Sequence, residues 1–352
     1  MCGVTPAEVH ASRNRVLRME SARATRPCID ECRGKTQFVQ PEFKNDPNSD
    51  GLMPHFLPQM YPSAPSSPLS TGRAADNCTP RYPPYPDTMP RFRLVVAYDG
   101  THFHGWQRQD PPGAPSLRTV QGVLEAAVAI AVKRPVIVMG ASRTDAGVHG
   151  FGQVAAFTAE TRIPMERMAL AINARLPRDV RVRSAEVADP HFNPISDCVS
   201  KCYRYSIAHG DLGTDGNLLF EKRYVWSTRH PLDHTLMAAA AGVLVGTHDF
   251  AAFAQASHGR ETTVRSIYGC TVISPQPGRI TIEVAGNGFL YNMVRIIAGT
   301  LVDVGRGKTD VAHVREALAT CDRSATGPTM PPHGLRLEWV RYGALQTNEA
   351  DT

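Results

Sequence analysis

A succession of strand, helix and paired strands occurs twice in this chain, at about 91–190 and at about 200–342. The first unit opens with an alternating apolar run at 92–98, which predicts a strand, and continues with helical spacing over 118–133. The second opens with alternation at 202–207. The simplest assembly of two such α+β units is two similar ferredoxin-like halves that share one mainly antiparallel sheet, with a central cleft at their seam.

The other elements follow from the same two periodicities, interrupted by Gly, Pro, Asn and Asp residues. Strands are predicted at 136–140, 153–158, 180–187, 264–273, 279–285 and 335–342, with a segment at 223–226 that can pair with 202–207. Helices are predicted at 164–175, 232–245, 289–304 and 311–319.

Residues 1–88 differ from the rest of the chain because they hold 13 of its 28 prolines and show no periodicity. Such a segment buries too little apolar surface to offset its ordering entropy, which predicts a disordered extension. A translation start at Met89 is an alternative that N-terminal sequencing of the native protein would decide. The expected organisation is then an N-terminal half at 89–197, a C-terminal half at 198–343 and a tail at 344–352.

Composition excludes several classes of protein. The chain of 352 residues is 42% hydrophobic and 20% charged, as globular domains are, and its formal charge of +5 permits a nucleic-acid partner without requiring one. With no run of 18 apolar residues, no membrane partner is expected. The eight cysteines form no CxxC pair, which predicts reduced thiols, no metal and a cytoplasmic location. No phosphate-binding or zinc-helix motif occurs, and this favours chemistry without a cofactor.

Residues 141–150 form a glycine-containing loop between two predicted strands, with Arg143 two residues before Asp145. A loop held by strands can present a reactive carboxylate on a rigid scaffold. Local chemistry alone nevertheless favours an ordinary hairpin connection with solvated charges. His149, at the edge of this loop, has no evident proton to move, so a structural role is expected for it.

Two further side chains are candidates for the predicted cleft. Tyr203 is either a half-buried strand aromatic that packs across the sheet, or a ring that stacks on a nucleobase and whose phenol moves a proton. Arg295 lies in an otherwise apolar helix and needs a partner, because an unpaired buried cation is costly. One alternative is an ordinary structural ion pair. The other is a pair with Asp145, in which Arg295 would keep the Asp145 carboxylate ionised.

Many basic residues are available to contact phosphates, although solvated strand and helix faces explain each of them individually. They are Arg108, Arg143, Arg162, Arg175, Arg178, Arg181, Arg183, Lys201, Arg204 and Arg306.

Five ordered motifs resemble the tRNA pseudouridine synthase A family over about 90–342. They are Tyr98-Asp99-Gly100 with Gly105-Trp106-Gln107, Arg143 to His149, Lys201 to Tyr205, Gly246 to Phe250, and Asn287 to Arg295. The resemblance implies two similar α+β halves joined in one antiparallel sheet, a homodimer, and tRNA as the substrate. The implied reaction isomerises uridine to pseudouridine at positions 38, 39 and 40 of the anticodon stem-loop.

Carried over position by position, the resemblance implies a role for each site residue. Asp145 is the nucleophile, and Arg143 contacts the RNA or helps to flip the base. Tyr203 stacks on the target uracil and is a candidate base for the C5 proton. Arg295 pairs with Asp145, and Leu335 packs beneath the base.

One position departs from the family pattern, since Ser142 stands where the family usually has glycine. If the backbone there requires a positive φ, serine is strained. Two other functions stay open: a catalytically silent RNA-binding or RNA-chaperone protein with the same basic cleft, and a synthase that acts on other RNA positions.

Overall fold

The fold is a mixed α+β structure around one large, mainly antiparallel sheet. The computed structural model describes residues 89–212, 215–255 and 261–343. The disordered extension predicted for 1–88 and the tail predicted for 344–352 lie outside these residues.

Ten strands and six helices make up the described chain. The strands are β1 Arg91–Tyr98, β2 Met139–Gly140, β3 His149–Thr158, β4 Val180–Ala188, β5 Cys198–His209, β6 Trp226–Thr228, β7 Gly246–Asp249, β8 Val264–Gln276, β9 Arg279–Gly286 and β10 Leu335–Tyr342. The helices are α1 Val120–Val132, α2 Met165–Asn173, α3 Gly216–Glu221, α4 His234–Val243, α5 Met293–Gly305 and α6 Val311–Thr320.

The strands are ordered β4-β1-β3-β10-β5-β9-β8-β7, with β2 beside β3 and β6 beside β5. The last strand, β10, therefore lies in the middle of the sheet. It runs parallel to β3, where Leu337 is opposite Gly150, and antiparallel to β5, where Leu335 is opposite Tyr205. The loop that precedes β3 and the middle of β5 are consequently close in space.

The buried apolar side chains form two clusters. One joins α1 and α2 to β1, β3 and β4, and the other joins α4, α5 and α6 to β5, β8, β9 and β10. Val148 comes from the loop before β3 but is buried in the second cluster, so this loop reaches across the sheet. The similarity of two halves, and the boundary between 197 and 198, stay predictions.

The strand predicted at 136–140 is wrong over its first three residues, because only Met139 and Gly140 pair with β3. Two side chains of α1 take the place of a neighbouring strand. The Glu125 carboxylate accepts a hydrogen bond from the Val138 amide at 3.0 Å, and the Gln121 amide donates to the Val138 carbonyl at 2.8 Å. These backbone groups are thus satisfied without a ladder.

The helix predicted at 289–304 begins four residues late, at Met293. Asn292 has a φ of 61°, in the left-handed region, and a right-handed helix cannot pass through such a residue. The segment predicted at 223–226 is instead Trp226–Thr228, parallel to Ile207–His209 of β5. The short elements α3 and β7 were not predicted.

Gly299 of α5 provides a test of the packing between this helix and the following loop. A Cβ atom at Gly299 would overlap the Pro328 carbonyl oxygen, and one at Gly327 would overlap the Gly299 backbone. Replacing Gly299 with Ala should therefore lower the free energy of unfolding in urea by about 1–3 kcal/mol, as overpacking does.

The matched control is Gly242 of α4, because a Cβ there meets no heavy atom within 4 Å. Gly242→Ala should raise the free energy of unfolding slightly, by no more than about 1 kcal/mol. Equal stability of the two variants would contradict the close packing of α5 on residues 327–328.

Candidate active site

Asp145 and Arg295 form an ion pair between the loop before β3 and the first turn of α5. Nη1 of Arg295 lies 3.3 Å from Oδ2 of Asp145. The side chain of Arg295 is only 16% exposed and that of Asp145 26%, so solvent screens the pair less than it would at the surface. Asp145 is therefore the residue with which Arg295 forms its ion pair.

The guanidinium of Arg295 is oriented by two further acceptors. Its Nε donates to the Met330 carbonyl at 2.6 Å, and its Nη1 donates to Oδ1 of Asn292 at 2.7 Å. Asn292 in turn donates through its side-chain amide to Oε1 of Gln255. The left-handed turn at Asn292 thus delays the start of α5 and also supplies an acceptor for its functional arginine.

Two opposing effects act on the Asp145 carboxyl. Burial raises its pKa above the ordinary value, because the charged form loses solvation, and the Arg295 guanidinium offsets part of this increase. The carboxyl is therefore more easily protonated than a surface aspartate. Arg295 favours its ionised form.

The start of the loop at 141–148 is held on both sides. The Ala141 amide donates to the Val154 carbonyl at 2.8 Å, and Nζ of Lys201 donates to the Ala141 carbonyl at 3.1 Å. Gln153, which is fully buried, accepts from the Ser142 amide at 3.2 Å and donates to the Ser142 carbonyl at 2.5 Å. A side-chain amide thus imitates a strand neighbour for this residue.

The middle of the loop rests on the motif near β1. The Thr144 carbonyl accepts from the Trp106 amide at 3.0 Å, and the Thr144 hydroxyl lies 2.9 Å from the Tyr98 hydroxyl. Gly105 has a φ of 92°, and a Cβ there would lie 2.6 Å from the Thr144 carbonyl oxygen, so only glycine fits. The motif at 98–107 thus supports the backbone that carries Asp145.

Tyr203 is buried on β5 beside this loop, with 6% of its surface exposed. Its hydroxyl lies 2.8 Å from Oγ of Ser142, and its ring meets Phe289 edge-on, with centroids 5.3 Å apart. Burial raises the pKa of the phenol, and the nearby Asp145 carboxylate raises it further.

Ser142 does not meet the condition under which it would be strained. Among the residues that the structure describes, those other than glycine with a positive φ are Lys133, Asn292 and Cys321. Serine is therefore compatible with this backbone, and its hydroxyl gains a contact with Tyr203 that the sequence did not predict.

The remaining predicted residues occupy two different environments. Arg143 is exposed and makes no hydrogen bond or ion pair with the described residues, so its guanidinium is available to a ligand. Leu335 is 5% exposed, begins β10, and belongs to the same apolar cluster as Tyr203. Arg108 and Arg204, from the predicted basic set, pair with Glu or Asp side chains of the protein.

His149 has the structural role expected for it. It is buried, its Nδ1 accepts from the Gly100 amide at 3.0 Å, and its Nε2 lies 3.0 Å from the Arg223 carbonyl. Burial lowers the pKa of the imidazole, which favours the neutral ring that these two contacts require. His149 therefore fixes the end of the loop instead of facing Asp145.

Two supporting residues, Gln153 and Asn292, were missed. A signal was present for Gln153, since an amide in the apolar stretch of β3 must find a buried partner. For Asn292, the signal was an asparagine before a helix, a residue type that tolerates the left-handed region. In the described part of the chain, no three His, Cys, Asp or Glu side chains are grouped to hold a metal ion, and no helix is long and apolar enough to cross a membrane.

Comparison with known proteins places these residues in a family. A family model described as tRNA pseudouridine synthase matches residues 94–193 and 240–343. A "tRNA pseudouridine synthase A" of Brevibacillus brevis is 43% identical over 254 residues, which are 72% of this chain and 100% of the relative. One of the same name from Geobacter sulfurreducens is 41% identical over 254 residues, with the same two coverages.

Solved structures add no argument. A chain in the crystal structure of a Cbf5-Nop10-Gar1 complex is 13% identical, with coverage of 70% of this chain and 48% of that one. Its TM-score is 0.29, which is too low to support an inference.

The dependence of Asp145 on Arg295 can be measured directly. Replacing Arg295 with Met removes the cation that favours the charged carboxyl, so the pKa of Asp145 should rise further above its ordinary value. Carbon-13 NMR of labelled aspartate carboxyls, with Asp145→Asn to assign the resonance, measures the shift. Arg118→Met is the control, since Arg118 pairs with Asp179. An unchanged or lower Asp145 pKa in Arg295→Met would contradict the electrostatic role.

Proposed function

Since this chain belongs to the tRNA pseudouridine synthase family, we propose that its target is uridine at positions 38, 39 and 40 of the tRNA anticodon stem-loop, with Asp145 as the nucleophile. Family membership makes the chain an isomerase that acts on tRNA. The single observation that carries the assignment of residues is the half-buried pair of Asp145 and Arg295 beside Tyr203.

Asp145 is suited to the covalent part of this reaction. The glycosidic bond must break, and the uracil must rotate and rejoin the sugar through C5. A carboxylate can attack the sugar or the ring, or stabilise charge while the uracil is detached. All three routes need the ionised form, and all three keep the atoms of the substrate within one site.

Arg295 meets the requirement for an ionised carboxylate. Burial alone would shift Asp145 toward its neutral form, which is a poor nucleophile. The guanidinium, oriented by Asn292 and the Met330 carbonyl, opposes that shift without exposing the carboxylate to solvent. Arg295 thus acts on the protonation state of Asp145.

Tyr203 and Leu335 fit the binding of an unstacked base. Extruding a nucleotide from its stack costs roughly a few kcal/mol. Stacking on an aromatic ring returns about 1–3 kcal/mol of this, and the Tyr203 hydroxyl lies 2.8 Å from Ser142 in the loop that carries Asp145. Tyr203 is 6% exposed and its ring meets Phe289 edge-on, so stacking of the uracil requires a rearrangement around this ring. Leu335 packs beneath the base, and Tyr203, once its phenol is ionised, is a candidate base for the C5 proton.

Two alternatives use the same surface. A catalytically silent RNA-binding protein would need the basic residues but not a half-buried carboxylate paired with arginine, so the pair favours catalysis. A synthase with other RNA targets would share every residue discussed. The homodimer and the cytoplasmic location implied by the family also remain part of the proposal.

Replacing Asp145 with Ala should abolish pseudouridine formation, by at least about 10³-fold in kcat/KM, because the reacting carboxylate is lost. Binding of tRNA should change little. The measurement maps pseudouridines in tRNA from cells that lack the gene, before and after the wild-type or variant protein is restored. Asp303→Ala is the control, since Asp303 pairs with Lys308 at the far end of α5.

The mapping separates the alternatives. Restoration at positions 38–40 by the wild-type protein and by Asp303→Ala, but not by Asp145→Ala, supports the proposal. Restoration by Asp145→Ala would refute the nucleophile, and pseudouridines restored at other positions would redirect the substrate. If restoring the wild-type protein restores no pseudouridine, the result would favour the silent RNA-binding protein.

Arg143 should contribute to RNA binding through its charge. If it contacts one phosphate, Arg143→Gln should weaken tRNA binding for all tested sequences and reduce the slope of log Kd against log salt by about 1. Binding titrations at several salt concentrations measure this. Arg134→Gln removes an exposed arginine that pairs with Glu160 and should leave the slope unchanged. An unchanged slope in Arg143→Gln would exclude a phosphate contact.

A further inference from the structure

The hydroxyls of Ser142 and Tyr203 are joined across the sheet, 2.8 Å apart and partly buried. This is the one hydrogen bond that the phenol makes with the described residues. The two residues lie 61 positions apart, one in the loop that carries Asp145 and the other on β5. The contact therefore connects the proposed nucleophile's loop with the proposed stacking ring.

The position of the Ser142 hydroxyl is fixed by its backbone. Gln153 holds both the amide and the carbonyl of Ser142, and the preceding residue, Ala141, is bonded to Val154 and to Lys201. A backbone held at two consecutive residues leaves the short serine side chain one rotatable bond. Ser142 can thus hold the hydroxyl end of Tyr203, whose ring meets Phe289 edge-on.

We propose that Ser142 is a positioning residue whose hydroxyl holds the Tyr203 phenol in the orientation in which it meets the target base. The inference rests on the function proposed above, because it assigns a partner to Tyr203 within that reaction. Ser142 does not itself touch the substrate. It acts through Tyr203.

The chemistry of a hydroxyl suits this role in both protonation states of the phenol. Serine can accept a hydrogen bond from the neutral phenol and can donate one to the phenolate. The contact therefore persists when the Tyr203 phenol loses its proton and when the phenolate takes one up. Burial raises the pKa of Tyr203, and the hydrogen bond with Ser142 lowers it, so the same contact eases loss of the phenolic proton.

A purely structural role would have different consequences. If the hydrogen bond only fastened the loop to β5, its removal would loosen Asp145 as well. The low-pH limb of the plot of activity against pH, which reports the ionisation of Asp145, would then move. The loss of activity would not depend on the Tyr203 hydroxyl. A positioning role through Tyr203 predicts an unchanged low-pH limb and a loss that requires that hydroxyl.

The experiment measures pseudouridine formation under single turnover and at steady state for Ser142→Ala, Ser142→Gly and Tyr203→Phe, and for Ser142→Ala combined with Tyr203→Phe. Both Ser142 variants should lower kcat by about 3–10-fold, the value of one hydrogen bond, while KM for tRNA stays within about twofold. Adding Ser142→Ala to Tyr203→Phe should change the single-turnover rate by less than about twofold. Ser266→Ala removes a similar hydroxyl pair, 2.7 Å from Thr247, and should keep wild-type kcat.

The outcomes distinguish this inference from the proposed function. If the wild-type protein forms no pseudouridine in any tRNA, the proposed function fails. If it is active and both Ser142 variants keep kcat within about twofold, the inference alone fails. It also fails if Ser142→Ala costs the same factor in the Tyr203→Phe background, or if the low-pH limb of the Ser142 variants shifts.

Discussion

A buried arginine requires a counter-charge, and much of this structure follows from where that counter-charge lies. Arg295 belongs to an otherwise apolar helix, and its partner Asp145 comes from a loop 150 residues earlier in the chain. Each charge reduces the desolvation cost of the other. The pair thus fixes α5 against the loop before β3, and it keeps an acidic group ionised at the edge of an apolar cluster.

The residues around this pair divide into buried support for the loop and a surface that, under the proposed function, meets the RNA. Trp106 and Gln153, both buried, hold the loop through hydrogen bonds to its backbone. Trp106 uses its own backbone amide, and Gln153 uses its side chain. Arg143, in the same loop, is exposed and unpaired among the described residues. Tyr203 lies beside the loop and is buried. A fixed carboxylate beside an adaptable binding surface suits an enzyme that must take a base out of its stack.

Local patterns predicted the elements that carry their own periodicity. Charge logic predicted a partner for Arg295, and the resemblance to the family implied that this partner is Asp145. The misplaced boundaries depended on distant partners. Residues 136–139 form an apolar run like that of a strand, but Gln121 and Glu125 bind the backbone groups of Val138 that a neighbouring strand would have used. Asn292 delays α5 through a backbone conformation that hydrophobic spacing does not report. The contact of Ser142 depends on the position of β5, which only the folded sheet defines.

The central position of β10 has a consequence for synthesis on the ribosome. Every other strand is made before β10, yet β10 separates β3 from β5. Until residues 335–342 emerge, the inner edges of β3 and β5 lack their partner, and unpaired strand edges favour association with other chains. Leu335 is also missing from the site until then. The nascent chain therefore carries the proposed nucleophile, Asp145, well before the strand that completes its surroundings has been made.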